Sequence, residues 1–482
     1  MHFTVIARVL GLLMMIFSFT LVPPMLVSVI YQDGTLDAFV YALLITFGIG
    51  LLVWLPVRNH KQELKTRDGF VITVLFWLVL AFSGSVPLYL AEQAGLSYTD
   101  AFFESLSGWT TTGATVITGL GELPKSILWY RQQLQWLGGM GIIVLAVAVL
   151  PMLGIGGMQL FRAETPGPVK DSKLTPRITE TAKALWYIYL SLTIACAAAY
   201  WFAGMSVFDA IGHSFATVAI GGFSTHDASL GYFNSPTIEA IAMIFMLISV
   251  LNFGLHFYAW KNKSIIHYFL DSEFKFLIYV LLGGALLTVS ALWLTDTYTL
   301  SDSFRHGLFQ LISVATTTGF GTSGFANWPV FLPVLLFMMA FIGGCAGSTG
   351  GGMQVLRILL IYKQGIREIR RLIHPNAIIP VKINKRSVND RVLESVWGFF
   401  SVYILTYMVM MVALLATGLD HVTAFSAVGA CLNNLGPGLG DVAAHYGDIS
   451  DVAKWILSIT MLLGRLEIFT FLVLISPAFW RN

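Results

Sequence analysis

Residues 70–91, FVITVLFWLVLAFSGSVPLYLA, run for 22 positions without one charged side chain. A helix of about 20 apolar residues spans the roughly 30 Å hydrocarbon core of a bilayer, and few other surroundings accept such a segment. Further apolar runs occur at 5–30 and at 142–154, IIVLAVAVLPMLG. Only 11% of the chain is charged, where a soluble domain carries about a quarter, so the sequence describes an integral membrane protein. Strand-type alternation is missing from these runs, which makes the spans helices rather than barrel strands. The run at 5–30 is longer than a secretion-signal core and has no clear small-residue cleavage site, so it reads as a retained helix.

Charge distribution supplies a topology. Twenty of the 28 Lys and Arg residues fall in four stretches, 58–67, 158–184, 260–275 and 363–391. By the positive-inside rule these loops are cytoplasmic. The loops between them carry Asp33, Asp37, Glu92, Asp100, Glu122, Asp209, Asp227, Asp302, Asp420 and Asp441, and face outside, where their field concentrates cations. Basic runs set between spans read as topology signals rather than as a nucleic-acid surface. Cys196, Cys345 and Cys431 lie in apolar stretches with unrelated spacing, as expected of buried thiols and not of a disulfide framework or metal site.

Four stretches then align on one glycine each. They are DAFFESLSGWTTTGAT with Gly113, DAIGHSFATVAIGGFST with Gly222, HGLFQLISVATTTGFGT with Gly319, and TAFSAVGACLNNLGPGLG with Gly436. The glycines are 109, 97 and 117 residues apart. Each follows a span and a short apolar segment of about a dozen residues, enough for half a bilayer. The repeating unit is helix, short re-entrant helix, glycine turn, helix, and repetition of this kind signals pseudosymmetry about a shared site.

Asp100 and Asp209 lie where an acidic residue caps a helix start, with Asp302 and Asp420 slightly farther back. Entering from outside, four helix C-termini point partial negative charge at one axis and favour a cation there. Backbone at membrane depth leaves helical form only where protein buries it or where it lines an aqueous path. Glycine permits a positive φ and close backbone approach. The expected filter is therefore a ring of main-chain oxygens from Thr111, Thr112 and Gly113, Ile220, Gly221 and Gly222, Thr317, Thr318 and Gly319, and Asn434, Leu435 and Gly436. The bland alternative is that each glycine only ends a helix. Side-chain variety before the glycines excludes a symmetric carboxylate ring.

A second anomaly is FIGGCAGSTGGGMQV at 341–355, where six of the ten residues 343–352 are glycine. Each glycine costs up to about 1 kcal/mol in a helix, so the span should unwind. No lysine is present to make it a phosphate loop. It reads as a flexible loop across the ion path, formed by Gly343, Gly344, Gly347, Ser348, Thr349, Gly350, Gly351 and Gly352, although glycines also serve tight helix packing. The last apolar segment, 453–477, reads as one span with Arg465 near its middle. An arginine at that depth needs a partner. Glu467 is two residues away and does not face it on a helix, so Ser348 and Thr349 are the candidate partners, and Arg465 is expected to hold the loop as a gate. A static contact with Glu467 of another helix or subunit is the alternative. Gln132, Gln135, Asn252 and His256 read as glue between helices, and His213 and His306 as structural histidines. No paired carboxylates, metal-spaced histidines or Ser–Lys pair suggests an enzyme.

TTTGAT, IGGFSTHD, TTTGF and LNNLGPGLG, together with IGGCAGSTGGG and GRLE, resemble the Trk/Ktr/HKT superfamily, and within it the TrkH family of bacterial potassium-uptake subunits, over essentially the whole chain. The resemblance implies an all-α integral membrane protein with two N-terminal helices and four pseudo-symmetric helix–pore-loop–helix units around one central pore. Its segments would be 1–69, 70–157, 158–262, 263–373 with the interrupted helix, and 374–482. It implies a bacterial inner-membrane location and a homodimer with one pore per subunit. Glycine at all four filter positions implies potassium preference, with rubidium permeant, whereas serine at the first goes with sodium. The interrupted helix and Arg465 correspond to the family's intramembrane gate. Regulation is expected from a cytosolic ring of TrkA-type subunits that bind NAD(H) or ATP/ADP and dock on the basic loops, especially 363–386, since this chain has no nucleotide fingerprint and no cofactor of its own is expected. Gly321 departs from the family's third stretch. A symporter coupling potassium to protons or sodium remains the alternative, although the filter stretches offer no titratable midplane site.

Overall fold

The computed structural model describes residues 1–60, 66–144, 174–329 and 331–481. Residues 145–154 of the apolar run at 142–154, most of the basic stretch at 158–184 and part of that at 58–67 lie outside the described residues. Six described helices are long and apolar enough to cross a membrane, and two further pairs pass the same test as broken spans. Between helices the described backbone forms one two-residue ladder, Lys382–Ile383 against Arg386–Ser387.

The chain opens with the helices Phe3–Phe19 and Val22–Tyr31, one span interrupted at Thr20 and Leu21 ahead of Pro23 and Pro24, and returns through Leu36–Trp54. The two legs touch backbone to backbone: a Cβ on Gly11 would lie 2.8 Å from the Gly50 carbonyl oxygen, and one on Gly50 would lie 2.8 Å from that of Gly11. Small residues allow this approach where lipid leaves no hydrophobic drive between helices.

Four units follow. Their outer helices are Thr66–Leu90, Leu174–Phe202, Ser272–Leu294 and Asp390–Leu415. These helices turn large apolar side chains outward: Leu286 is 70% and Val412 65% exposed, as suits a lipid-facing surface. Each leads into a short helix: Tyr98–Trp109, Val207–Ala219, Leu300–Ala315 and His421–Leu432. Their final turns are buried in the middle of the molecule.

The caps differ from expectation. Ser97, Ser206 and Thr299 cap the first three short helices, each accepting from the backbone N–H of Asp100, Asp209 or Asp302 and donating back to that residue's carboxylate. Only Asp420 is itself the cap. The acids of units one to three sit three residues inside, where the reciprocal pair satisfies the free N–H and places negative charge in the first turn. From cap to ring glycine units one, two and four run 16 residues, and unit three runs 20, its short helix being one turn longer.

The inner helices return from the ring. The first is Lys125–Val144. The second bends by 88° between Pro236–Ser249 and Phe253–Lys261, where Asn252 caps the new helix and His256 donates from Nε2 to Ile248 O and pairs through Nδ1 with Tyr268 Oη. In the third, Phe331–Ile342 stops at the glycine run and a helix resumes at Val355–Ile373. The fourth corrects the reading of 453–477 as one span: Asp451–Arg465 ends at the arginine, and Phe469–Ile475 leaves at 115°. Glu467 and Ile468 take positive φ at that corner (54° and 55°). Arg465 is thus a helix end turned into the protein, not the midpoint of a straight helix.

Candidate functional site

All four short helices end in the same way. The residue two before each ring glycine adopts a left-handed backbone: Thr111 at φ 51°, Ile220 at 55°, Thr317 at 64° and Asn434 at 53°. The N–H of that residue reaches back three positions, to Gly108, Thr217, Val314 and Cys431. The next N–H reaches back five, from Thr112 to Ser107, Gly221 to Ala216, Thr318 to Ser313 and Leu435 to Ala430, at 2.8–2.9 Å. This pair of bonds is the Schellman cap. Left-handed threonine and isoleucine are costly, and such residues persist where surrounding structure over-determines them. The ring glycines then take positive φ of their own, 81°, 78°, 83° and 93° at Gly113, Gly222, Gly319 and Gly436.

These turns close on one another. A Cβ on Gly113 would run into the carbonyl oxygen of Gly221, one on Gly222 into that of Thr318, and one on Gly319 into that of Leu435. The circuit ends with Gly436, whose Cβ would sit 2.7 Å from the carbonyl oxygen of Thr112. Each unit presses its glycine against the residue that precedes the next unit's glycine, in cyclic order. Eight of the twelve residues expected of the filter make this closed circuit, and the other four, Thr111, Ile220, Thr317 and Asn434, directly precede them in the chain.

The ring is clamped from behind. Asn434 donates to Thr112 Oγ1 (2.9 Å) and to Met461 O (3.1 Å), and Tyr446 Oη donates to Gly436 O at 2.7 Å. Gln135 donates to Gly221 O and accepts from the Phe223 N–H. Beside the first stretch, buried Glu104 accepts from Arg131 Nε at 2.7 Å, Thr115 Oγ1 and the Val116 N–H, and Arg131 lies 4.4 Å from the centre of the Phe223 ring. Asp227 ties the first two units together, accepting the Gly119 and Leu120 N–H groups at 2.9 and 3.0 Å. His213 is buried between Asp209 O and Ser224 Oγ, and His306 meets Thr322 Oγ1, as structural histidines do.

On one side of the ring lies a vestibule of about 1030 Å³, which all four ring glycines line along with Gly321. On the other lies a cavity of about 60 Å³, bounded by Gly347, Ser348, Gly350, Gly351, Gly352, Arg465 and Glu467. The glycine run is a folded loop across that side, with Gly343, Gly347 and Gly352 at positive φ and Gly344 N–H bonded to Gly351 O at 3.0 Å. It touches the ends of three short helices. Thr349 Oγ1 donates to Val218 O (3.1 Å), Gly351 N–H to Thr317 Oγ1 (2.8 Å), and Gly352 N–H to Asn433 O (3.1 Å).

Arg465 reaches the fourth. Its Nε donates to Thr110 O at 2.8 Å, its Nη2 donates to Thr110 O and Thr111 Oγ1, and its Nη1 reaches Thr349 O only at 3.5 Å. The expected partnership with Ser348 and Thr349 is thus largely replaced by the first ring stretch. Ser348 instead bonds Cys345 O and the Gly350 N–H inside the loop. Glu467 does not meet Arg465 within the chain: it accepts from Arg357 at 2.6 Å and Gln354 at 3.2 Å. A buried Glu273 accepts the Ala346 N–H at 2.8 Å and steadies the loop's start. The roles of Glu104, Arg131 and Glu273 were not visible in the sequence, and Gln135, which reads there as glue between helices, bonds the first inner helix to the second unit's turn. The three cysteines are buried, and no disulfide forms among the described residues. No cluster of metal-ligating side chains occurs among the described residues either.

Fold and site together define a multi-pass, all-helical membrane protein in which four pore-loop hairpins of one chain share an axis. The TrkH family, described as cation transport protein, matches residues 35–482. The chain is 61% identical over 482 residues to the Trk system potassium uptake protein TrkH of Halomonas elongata, with 100% of both chains covered. It is 57% identical over 483 residues to the protein so named in Escherichia coli K12, again at full coverage. The crystal structure of the potassium transporter TrkH from Vibrio parahaemolyticus aligns with a TM-score of 0.93 at 56% identity, covering 100% of each chain. The chain belongs to the TrkH family.

Proposed function

We propose that this chain takes up potassium across the bacterial inner membrane through the ring, which acts as a selective filter, and that the glycine loop with Arg465 is its gate. The observation that carries the reading is the cyclic contact of four glycines with four carbonyl-bearing residues. Main-chain oxygens set at one spacing replace the hydration shell of an alkali ion. The converging C-termini of the short helices add partial negative charge without a titratable group. The glycines keep the stretches in contact, so the ring resists shrinking around a smaller ion. Relatives named as potassium uptake proteins support the choice of ion.

Beneath the ring, the loop and Arg465 together engage all four short-helix ends, which supports a closed door in this conformation. Opening requires the loop to leave Val218, Thr317 and Asn433. The Trk system in the relatives' names supports partner subunits, and a homodimer and a TrkA-type ring are part of the proposal. NAD(H) or ATP/ADP would act on that ring, through the helix Val355–Ile373 and the basic residues up to 386. The test is rubidium uptake into vesicles containing this chain alone, with sodium as competitor and a protonophore as control. Uptake that follows the rubidium gradient and persists with protonophore supports a pore. Uptake abolished by the protonophore under an imposed potential favours proton coupling and overturns the proposal.

A further inference from the structure

We propose that Gln135 is a specificity-determining positioning residue: its carboxamide stands where the side chain of Gly221 would be and fixes the second carbonyl of the ring. This rests on the reading of the ring as the ion filter. The four residues that precede the ring glycines are Thr112, Gly221, Thr318 and Leu435. None of them has a positive φ, so the backbone there accepts any side chain, and three of the four positions carry one. At Gly221 alone the space is taken. A Cβ there would fall into the Gln135 carboxamide, 2.8 Å from its Nε2.

That carboxamide is fully buried on the helix Lys125–Val144 and uses both ends. Nε2 donates to Gly221 O at 2.6 Å and Oε1 accepts from the Phe223 N–H at 3.0 Å, so Gly222 is bracketed on either side. Among the described residues, no other carbonyl preceding a ring glycine accepts from a side chain. A carbonyl oxygen has two lone pairs, and the bond to Gln135 leaves the second for an ion. In units one, three and four this position carries a buried side chain of its own, the threonines bonding Thr110 and Thr316. Unit two holds it through a neighbouring unit's helix, which makes its carbonyl dependent on a residue 86 positions away.

The test is paired rubidium and sodium uptake into vesicles containing the full chain, because the ratio of the two cancels differences in the amount of active protein. Gln135→Met removes both hydrogen bonds at similar volume, and Gln135→Glu keeps an acceptor for Phe223 while removing the donor. Losing a buried bond at the filter should lower the rubidium-to-sodium ratio by about fivefold or more in either variant. Gln135→Ala and Gly221→Ala should each lower it as well, and the double variant Gln135→Ala/Gly221→Ala should do no worse than the poorer of these two singles, since the Cβ then enters vacated space. Size-exclusion profiles establish that each variant is folded. Unchanged ratios in folded Gln135→Met and Gln135→Glu, or losses that multiply in the double variant, overturn the assignment. Gly113→Ser is the control. A shifted ratio there with none at Gln135 removes this role alone, whereas no shift in either removes the filter reading with it.

Discussion

Substituting Gly222 by alanine tests the ring where its geometry is tightest. Gly222 has a φ of 78°, and its Cβ would meet the Thr318 carbonyl oxygen, with Thr318 C at 3.1 Å and Gly319 C at 3.2 Å. Placing alanine in the left-handed region costs about 1–2 kcal/mol. Overpacking against backbone adds about 1–3 kcal/mol. If the ring kept its shape the total would be about 2–5 kcal/mol, and it is relieved by moving the third stretch outward. Each 1.4 kcal/mol is about a tenfold change in an equilibrium, so even the lower bound, expressed as lost ion preference, is more than tenfold. The expected result is a rubidium-to-sodium uptake ratio at least about tenfold below wild type. Gly121→Ala is the matched control, because nothing lies within 4 Å of a Cβ there. A wild-type ratio in monodisperse Gly222→Ala protein would refute the idea that these glycines set the filter's dimensions.

Two further substitutions separate gating from folding. Arg465→Ala removes the donors to Thr110 O and Thr111 Oγ1 and the link to Thr349, so basal rubidium uptake without any partner should rise severalfold; uptake at the wild-type level would remove Arg465 from the gate. Glu104→Gln leaves Arg131 buried without its counter-charge and should destabilise the protein by about 3–5 kcal/mol, seen as a lower melting temperature in detergent. An unchanged melt would show that the bonds Arg131 donates to Thr115 Oγ1 (3.0 Å) and Ser224 O (3.3 Å) suffice for the guanidinium.

The repeat was legible because each unit needs glycine at one position for its positive φ, and that requirement survives whatever side chains surround it. The unwound third inner helix was legible for a related reason, six glycines in ten residues being a poor helix. The left-handed residues before the ring were not. Thr111, Ile220 and Thr317 are β-branched, and local preference argues against them there; packing by the adjoining unit prevails. Ser97, Ser206 and Thr299, not the aspartates, cap the first three short helices, and the signal for this is a hydroxyl followed three residues later by an acid. Arg465 showed its need for a partner but not the partner, since Thr110 lies 355 residues away in the chain. The 115° corner after it follows no proline.

The glycine loop does not rest against an indifferent wall. It is bonded to Val218, Thr317 and Asn433, at the ends of the very short helices that lead into the ring. If the ring is the sieve and the loop the door, as proposed, the two form one hydrogen-bonded piece and neither can be set without the other. Such linkage is reciprocal: whatever free energy an occupying ion contributes to one position of the door, the door returns as a change in how firmly the ion is gripped. A passage assembled this way would register the presence of its cargo at the threshold.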